Sequence, residues 1–173
     1  MAVLENKSAW REHFRQKWLA ELEERAVVNW EIYEHPRNER APGTAGVEVD
    51  KSRLLMITSS GAFLRDEQEP FDEANLYGDY SLRTFPSTTP LSALAYAHGH
   101  YDPAMIKEDA QVGIPLRHLE AMAAAGQLGE IAPEVVSFMG YQPDSAKVVD
   151  EFVPQVISVA REMAADAALL APV

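Results

Sequence analysis

Large apolar side chains stand four residues apart near the start of the chain, with charged residues between them. They are Trp10, Phe14, Trp18 and Leu22. Because residues four apart share one face of an α-helix, this spacing predicts an amphipathic helix within residues 8–30, with Ser8 as its candidate N-cap. The aromatic row either packs on the chain's own core, which is the commoner outcome, or forms a docking face for another domain or subunit.

Short continuous apolar runs later in the chain predict buried strands. Arg53 to Thr58 (RLLMIT) ends in a Ser-Ser-Gly turn, Val135 to Met139 (VVSFM) ends at Gly140, and Ala167 to Val173 (AALLAPV) has the composition of a core strand. Runs of this kind suit strands that are covered on both faces. Polar and apolar residues alternate from Tyr80 to Phe85, which predicts a further strand.

Two helices are predicted around the second of these runs. Pro115 begins one helix and Gly126 ends it. Asp144 or Ser145 caps a longer helix, in which every third or fourth residue is apolar. These residues are Val148, Phe152, Val156, Val159 and Met163. Pro154 lies within this stripe and predicts a kink or two shorter helices, because proline lacks the backbone donor and clashes with the preceding turn.

The order strand 135–139, helix 144–165, strand 167–171 predicts a βαβ unit, in which neighbouring parallel strands are joined by a right-handed crossover. The fold class expected is therefore α/β, a layered fold with a mostly parallel sheet and flanking helices, preceded by the amphipathic N-terminal helix. A chain of 173 residues is long enough for one such domain over residues 1–173. Residues 34–49, rich in proline, glycine and charge, are expected to form a linker-like loop.

Composition narrows the classes of partner. Fifteen Lys and Arg face 27 Asp and Glu, and the formal net charge of −12 disfavours binding to nucleic acid and to anionic lipid. Six of the acids lie in the span from Arg65 to Asp79, which lacks the alternation of a calcium site and is expected to be a solvated loop. No apolar run approaches the roughly 20 residues of a membrane span, and the first residues lack a signal-peptide pattern. We expect a cytoplasmic protein. With no cysteine, the chain has no disulfide, thiolate zinc site or cysteine nucleophile.

Candidate chemistry concentrates between Leu91 and Pro103. Four residues with polar side chains lie within five positions: His98, His100, Tyr101 and Asp102. Each can donate, accept or carry a proton. If this segment is extended, His98, His100 and Asp102 share one face and Tyr101 takes the other. The same residues also suit a hydrogen-bonded loop. A metal site on the two histidines is the weakest hypothesis, because it needs a further ligand that the sequence does not single out.

Several blocks from residue 53 onward resemble a known family. The most specific are HYD at His100 to Asp102, LGEIAP at 128–133 and SFMGY at Ser137 to Tyr141, alongside LLMITSSGAFLRDEQEPFD, GDYSLRTFP and ADAALLAPV. In this order they resemble the selenoprotein B family of glycine, sarcosine, betaine and D-proline reductases. The resemblance implies reductive cleavage of a carbon–nitrogen bond in a small amino acid or its derivative.

The resemblance also implies a redox residue that this chain lacks. In these relatives a selenocysteine or cysteine, usually with a second thiol three residues on, follows the strand that matches ADAALLAPV, which places it immediately after Val173 here. The resemblance thus implies that the domain over residues 1–173 is the N-terminal part of a larger family domain. Either an in-frame UGA codon was taken as a stop, or the chain is a naturally short relative or a shortened version. Since no residue present replaces the thiolate or selenolate, the chain is expected to act as part of a reductase and not to turn over alone.

Under this resemblance His98 and His100 are the candidate catalytic residues, for contact with the substrate carboxylate or proton delivery to the leaving amine. Tyr101 and Asp102 would orient them, and Arg83 would pair with a carboxylate substrate. The plainer alternatives are that Tyr101 and Asp102 cap the turn before Pro103 and that Arg83 pairs with a nearby acid. Other reductase subunits or self-association are expected. A second hypothesis is a non-catalytic binding or scaffold subunit that a partner completes through the aromatic helix and the last strand.

Overall fold

The computed structural model describes residues 4–40, 43 and 46–173, and a sheet organises them. The strands are β1 (Arg53–Thr58), β2 (Ala62–Leu64), β3 (Arg83–Pro86), β4 (Leu94–Tyr96), β5 (Glu130–Ile131), β6 (Glu134–Ser137) and β7 (Ala167–Ala171). The helices are α1 (Lys7–Phe14), α2 (Ala20–Arg25), α3 (Ala104–Glu108), α4 (Leu116–Ala124), α5 (Ser145–Lys147) and α6 (Val153–Glu162). None of the helices in this part of the chain is both long and apolar enough to span a bilayer.

Strand β1 lies at the centre of the sheet. On one side β7 runs parallel to it, from Leu54 opposite Ala167 to Thr58 opposite Ala171. On the other side β5 and β6 follow one another along β1, both parallel to it, and β3 adds an antiparallel strand beside β6. The α/β fold with a mostly parallel sheet is therefore confirmed. Strands β2 and β4 form a separate antiparallel pair.

The predicted βαβ unit is wrong in one respect, because β6 and β7 are not neighbours. The chain leaves β6, passes through α5 and α6, and returns on the far side of β1. Strand β7 is also not a core strand. No partner lies on its outer side among the described residues, and Leu170 is 57% exposed. The apolar run predicts that β7 is a strand. Which strand lies beside β7 depends on which face of the sheet α6 covers.

Two apolar layers cover the sheet. Because successive side chains of a strand point to opposite faces, Met56 packs on one side with α4, and Leu55 and Ile57 pack on the other with residues of α6. Both faces of the sheet are covered at β1, where Leu55 and Met56 are fully buried. Because both faces of β1 are buried, polar and apolar residues do not alternate along its sequence.

The N-terminal helix packs on the chain's own core. Phe14, Trp18 and Leu22 are each 1% exposed and contact Ala146 and neighbouring apolar residues. The prediction that the aromatic row packs on the chain's own core is therefore confirmed. The helix begins at Lys7, not at Ser8, and has no side-chain cap. A π-helical segment, Arg15–Leu19, joins α1 to α2, and the helix ends at Arg25, short of the predicted residue 30.

The bounds of α4 and the start of α5 lie where proline, glycine and aspartate predict them. Pro115 directly precedes α4, and Gly126 beyond its end has a φ of +69°, as a helix stop requires. Asp144, not Ser145, caps α5, since its side chain accepts a hydrogen bond from the Lys147 N–H. The predicted interruption at Pro154 takes the form of a π-helical segment, Val148–Phe152, directly before α6.

The two spans predicted to be loops lack regular helix and strand over most of the length that the structure describes. The span 65–79 contains turns but neither helix nor strand, and the predicted linker at 34–49 is irregular until the short turn that begins at Val49. Pro42 in that linker lies outside the described residues. Strand β3 begins three residues later than predicted, because Asp79 accepts hydrogen bonds from both the N–H and the hydroxyl of Ser81 and holds that residue in a turn.

Candidate active site

The carboxyl ends of β1 and β6 meet in a buried polar turn. The Gly61 N–H donates to the Phe138 carbonyl at 2.9 Å, and the Gly140 N–H donates to the Ser59 carbonyl at 3.0 Å. Ser59 and Ser60 are both buried, and the hydroxyl of Thr58 donates to that of Ser60. Ligands of open parallel sheets bind beyond this edge, so the hydroxyls are placed where a site is expected.

Gly61 brings the histidine segment to this edge. Its φ is +68°, and a Cβ at this position would lie 2.2 Å from the Ala97 carbonyl oxygen and 3.4 Å from His98 Cβ. The Ala97 N–H donates to the Gly61 carbonyl at 3.0 Å. Only glycine permits this close approach, which sets His98 against the ends of β1 and β6.

The segment from His98 to Asp102 is a turn, so the extended arrangement with alternating faces is wrong. Nδ1 of His98 accepts a hydrogen bond from the His100 N–H at 3.2 Å. The ring centroids of His98 and Tyr101 are 4.7 Å apart, and those of His98 and His100 are 6.1 Å apart. A chain reversal at Gly99 and His100 therefore gathers Tyr101 with the histidines instead of separating them.

His98 is held as a neutral ring. Burial lowers its pKa, the neighbouring His100 lowers it further, and Glu73 opposes both effects. Since Nδ1 accepts the His100 N–H, the proton of the neutral ring resides on Nε2. That atom is buried, has no hydrogen-bond partner among the described residues, and lies 3.1 Å from the position that a Cβ on Gly140 would occupy.

His100 is the exposed imidazole of the cluster. Its ring stacks on Tyr141 with centroids 3.6 Å apart and planes 6° from parallel. Tyr141 is itself anchored, because its hydroxyl donates to the Leu76 carbonyl at 3.0 Å. His100 therefore combines a fixed orientation with access to solvent, which suits a group that exchanges protons.

Tyr101 and Asp102 have structural partners. The Tyr101 hydroxyl donates to the Ser60 carbonyl at 3.1 Å, and burial raises the pKa of Tyr101. A carboxylate oxygen of Asp102 accepts the Ala104 N–H at 3.0 Å at the start of α3. Tyr101 thus ties the histidine turn (His98 to Asp102) to the sheet edge, whereas Asp102 holds the backbone around Pro103.

Arg83 is not drawn into the histidine cluster. Its guanidinium donates to the carbonyls of Glu69, Pro70 and Leu82 and to the hydroxyl of Ser81, and it lies 4.4 Å above the Phe71 ring. Within the described ranges it makes neither an ion pair nor a hydrogen bond with the histidine turn. These contacts fix the loop that precedes β3, and its role toward substrate stays a prediction.

Gly140, Tyr141 and the backbone of Val173 join the site without having been singled out as site residues. The Val173 N–H donates to the Ser59 hydroxyl at 3.0 Å. The one signal in the sequence was the block SFMGY, which places Gly140 and Tyr141 directly after a strand. In the described part of the chain no three His, Asp or Glu side chains gather as metal ligands would.

Comparison with known proteins matches most of this chain to one family. The model of the family glycine/sarcosine/betaine reductase selenoprotein B matches residues 26–171. The chain is 26% identical over 99 residues to the gamma subunit of glycine reductase complex component B from Carboxydothermus hydrogenoformans, covering 56% of this chain and 22% of the relative. It is 27% identical over 111 residues to the beta subunit of sarcosine reductase complex component B from Peptoclostridium acidaminophilum, covering 62% and 25%.

The chain thus spans a quarter or less of the curated relatives that it matches. No solved structure matches it. The family match takes in every strand of the sheet and the whole histidine turn. On this evidence the chain belongs to the glycine/sarcosine/betaine reductase selenoprotein B family.

Proposed function

We propose that this chain forms the substrate-handling part of a reductase that cleaves the carbon–nitrogen bond of a small amino acid or derivative: glycine, sarcosine, betaine or D-proline. It would act with a selenocysteine or cysteine that follows Val173 in a longer reading frame or is presented there by a partner subunit. The observation that supports this most is the gathering of His98, His100 and Tyr101 at the carboxyl edge of the sheet, beside the backbone of Val173.

The path of the last residues supports this placement of the redox group. The Ser59 N–H donates to the Ala171 carbonyl at 3.3 Å, and the Val173 N–H donates to the Ser59 hydroxyl at 3.0 Å. Ser59 in turn lies beside Gly140, which is in close contact with His98 Nε2. A residue joined to Val173 would therefore enter the same edge of the sheet as the histidine turn.

The chemistry requires a nucleophile and a proton donor. The thiolate or selenolate forms a bond to the substrate carbon, the carbon–nitrogen bond breaks, and its electron pair leaves with the amine. For a primary or secondary amine, protonation during this step makes it a better leaving group. A second thiolate then attacks that sulfur or selenium, and the bond from it to the substrate carbon breaks. The carbon keeps the electron pair and takes a proton to give the reduced product, while a disulfide or selenosulfide forms.

His100 and His98 take different parts in this proposal. His100 is exposed and stacked on Tyr141, so we assign it the contact with substrate and the delivery of the proton. His98 is a positioning residue, because its Nδ1 holds the His100 backbone and its Nε2 is buried. Tyr101 ties the turn to Ser60. Arg83 is a weaker candidate for the substrate carboxylate, since its donors serve the neighbouring loop.

The test begins with the gene. The codon after Val173 is read together with the following open frame, and the encoded product is prepared with its selenocysteine or cysteine. It is assayed with a dithiol for ammonia or amine released from glycine, sarcosine or betaine, and for the ring-opened amino acid formed from D-proline. With glycine, sarcosine or D-proline, His100→Gln should lower kcat about 100-fold, because a positioned general acid contributes at least this much. With betaine, whose quaternary nitrogen needs no proton to leave, the loss should be smaller. His118→Gln, an exposed histidine on α4, is the matched control and should retain full activity.

Two results would contradict the proposal. One is a stop codon with no continuing frame together with no activity when the chain is combined with the other reductase components. The other is an active product in which His100→Gln and His118→Gln behave alike.

One observation favours the scaffold function as the second candidate. Strand β7 has no partner on its outer side among the described residues, and Leu170 on it is 57% exposed. An open strand edge of this kind accepts a strand from another chain. Stable association with a reductase subunit, unaffected by His100→Gln and in the absence of turnover, would favour this function instead.

A further inference from the structure

A second concave site lies between β4 and α3. Its volume is about 380 Å³, and its apolar wall includes Leu91 and Ile106. This volume falls at the small end of the range for small-molecule sites. The proposed reduction uses none of the residues that line it.

Two cations line this cavity and no acid does. They are Arg65, which follows β2, and Lys107, on α3. Both are exposed, and neither forms an ion pair with any described residue. By contrast, Arg11 and Arg53 are ion-paired with Asp150 and Glu130. The lining of this cavity therefore contains two positive charges and no negative one, in a chain whose formal net charge is −12.

The cavity also contains directed donors. One Arg65 nitrogen donates to the Leu94 carbonyl at 3.0 Å, which fixes the guanidinium and leaves its other N–H groups available. Ser92 contributes a hydroxyl. Tyr96 lines the wall, and its hydroxyl is buried without a hydrogen-bond partner among the described residues. Burial raises the pKa of Tyr96 to about 12, so this hydroxyl keeps its proton, but its oxygen is enclosed and Tyr96 serves as part of the wall.

From this arrangement we propose that the cavity between β4 and α3 binds a small oxyanion, carried by a carboxylate or a phosphate ester, through Arg65 and Lys107. Guanidinium and ammonium groups are the side chains that bind such oxygens most strongly. The apolar wall at Leu91 and Ile106 accommodates a short carbon chain attached to the anion. The site does not depend on the proposed reduction, because it requires no redox residue.

Binding is tested on the chain as it is. The isotope-labelled protein is titrated with inorganic phosphate and, separately, with butyrate, while chloride holds the ionic strength constant, and amide chemical shifts are followed. We expect saturable shifts centred on Ser92, Tyr96 and Lys107 with at least one probe. Saturation by phosphate alone indicates a phosphate ester as the natural ligand, and saturation by butyrate alone indicates a carboxylate.

Substitutions separate the site from diffuse attraction. Lys107→Gln should weaken binding about tenfold, since one charge-assisted contact is lost, and Lys107→Arg should restore it. Lys107 makes no side-chain hydrogen bond in the described structure, so its replacement should leave the fold intact. Arg161→Gln, which removes an equal charge from an exposed position on α6, should change affinity less than about twofold.

Several results would overturn the proposal: shifts that grow linearly with both probes, shifts centred on the histidine turn, or equal weakening by Lys107→Gln and Arg161→Gln. The first and the third result leave the reductase proposal untouched, since that proposal is tested by substrate cleavage and by His100→Gln. Shifts centred on the histidine turn would agree with the substrate contact proposed for His100.

Discussion

The two ends of strand β1 differ in how completely their polar groups are satisfied. At the amino end, the Arg53 N–H donates to an Asp166 carboxylate, its side chain pairs with Glu130, and it also donates to the Met163 carbonyl. At the carboxyl end, Ser137 Oγ and His98 Nε2 are buried without partners among the described residues. Both ends belong to the same sheet and share its core.

This difference agrees with a structural role for the amino end of β1 and with the function proposed for its carboxyl end. Leaving a buried polar group without a partner costs stability, commonly about 1–3 kcal/mol. The amino end avoids that cost by joining β1, β5 and the loop before β7 through Arg53. The carboxyl end, where the histidine turn, Ser59 and the backbone of Val173 meet, retains buried polar atoms without partners among the described residues and therefore bears this cost. Such local inconsistencies are expected where a protein keeps groups available for a ligand or a reaction.

The largest expected effect is at Gly61, at the carboxyl end. Gly61→Ala should lower the free energy of unfolding by about 3 kcal/mol or more, because its Cβ would meet the Ala97 carbonyl oxygen at 2.2 Å and the backbone has a φ of +68°. Gly126→Ala is the matched control, with a φ of +69° and open space around it, and should cost about 1–2 kcal/mol.

Urea unfolding measures both glycine variants. If the two alanine substitutions cost the same, then the close approach of Ala97 is not what makes Gly61 necessary, and the histidine turn is held by other contacts.

An intermediate effect is expected at the amino end. Arg53→Gln should lower the free energy of unfolding by about 1 kcal/mol, since the pair with Glu130 is partly exposed but the hydrogen bond to the Met163 carbonyl is also lost. Amide shifts of the histidine turn should stay unchanged, and Arg161→Gln should alter stability by less than about 0.5 kcal/mol. Movement of the His98 and His100 signals in Arg53→Gln would show that the two ends are coupled.

The smallest effect concerns pH. Because burial lowers the pKa of folded His98 below its unfolded value of about 6.5, the folded state resists protonation there. Stability should therefore be flat above the unfolded value and fall as pH decreases from it through the folded pKa. His98→Gln should reduce the loss of unfolding free energy between about pH 7.5 and pH 5.

The matched control for His98 is His118→Gln, on the exposed surface of α4, which leaves the contribution of His98 in place. Chemical denaturation at a series of pH values gives the comparison. A steeper pH dependence in His98→Gln than in the unsubstituted chain would mean that His98 is stabilised in its charged form.

Local sequence determined most of the elements. The run RLLMIT is strand β1 at its predicted bounds, and the row Phe14, Trp18 and Leu22 is a buried helix face. Pro115 and Gly126 bracket α4. These features follow from side-chain period and from backbone preferences of single residues, which act over a few positions and need no distant partner.

Only the tertiary structure decided how these elements meet. The apolar runs of β6 and β7 carry no information that β1 lies between them, because strand order depends on how α6 crosses the sheet. Likewise, the sequence placed His98, His100 and Tyr101 close together, but their turn depends on contacts with Gly61 and Ser60, about 40 residues away. A sequence pattern fixes which face of an element is apolar, whereas the partner of that face is chosen by the packing of the whole chain.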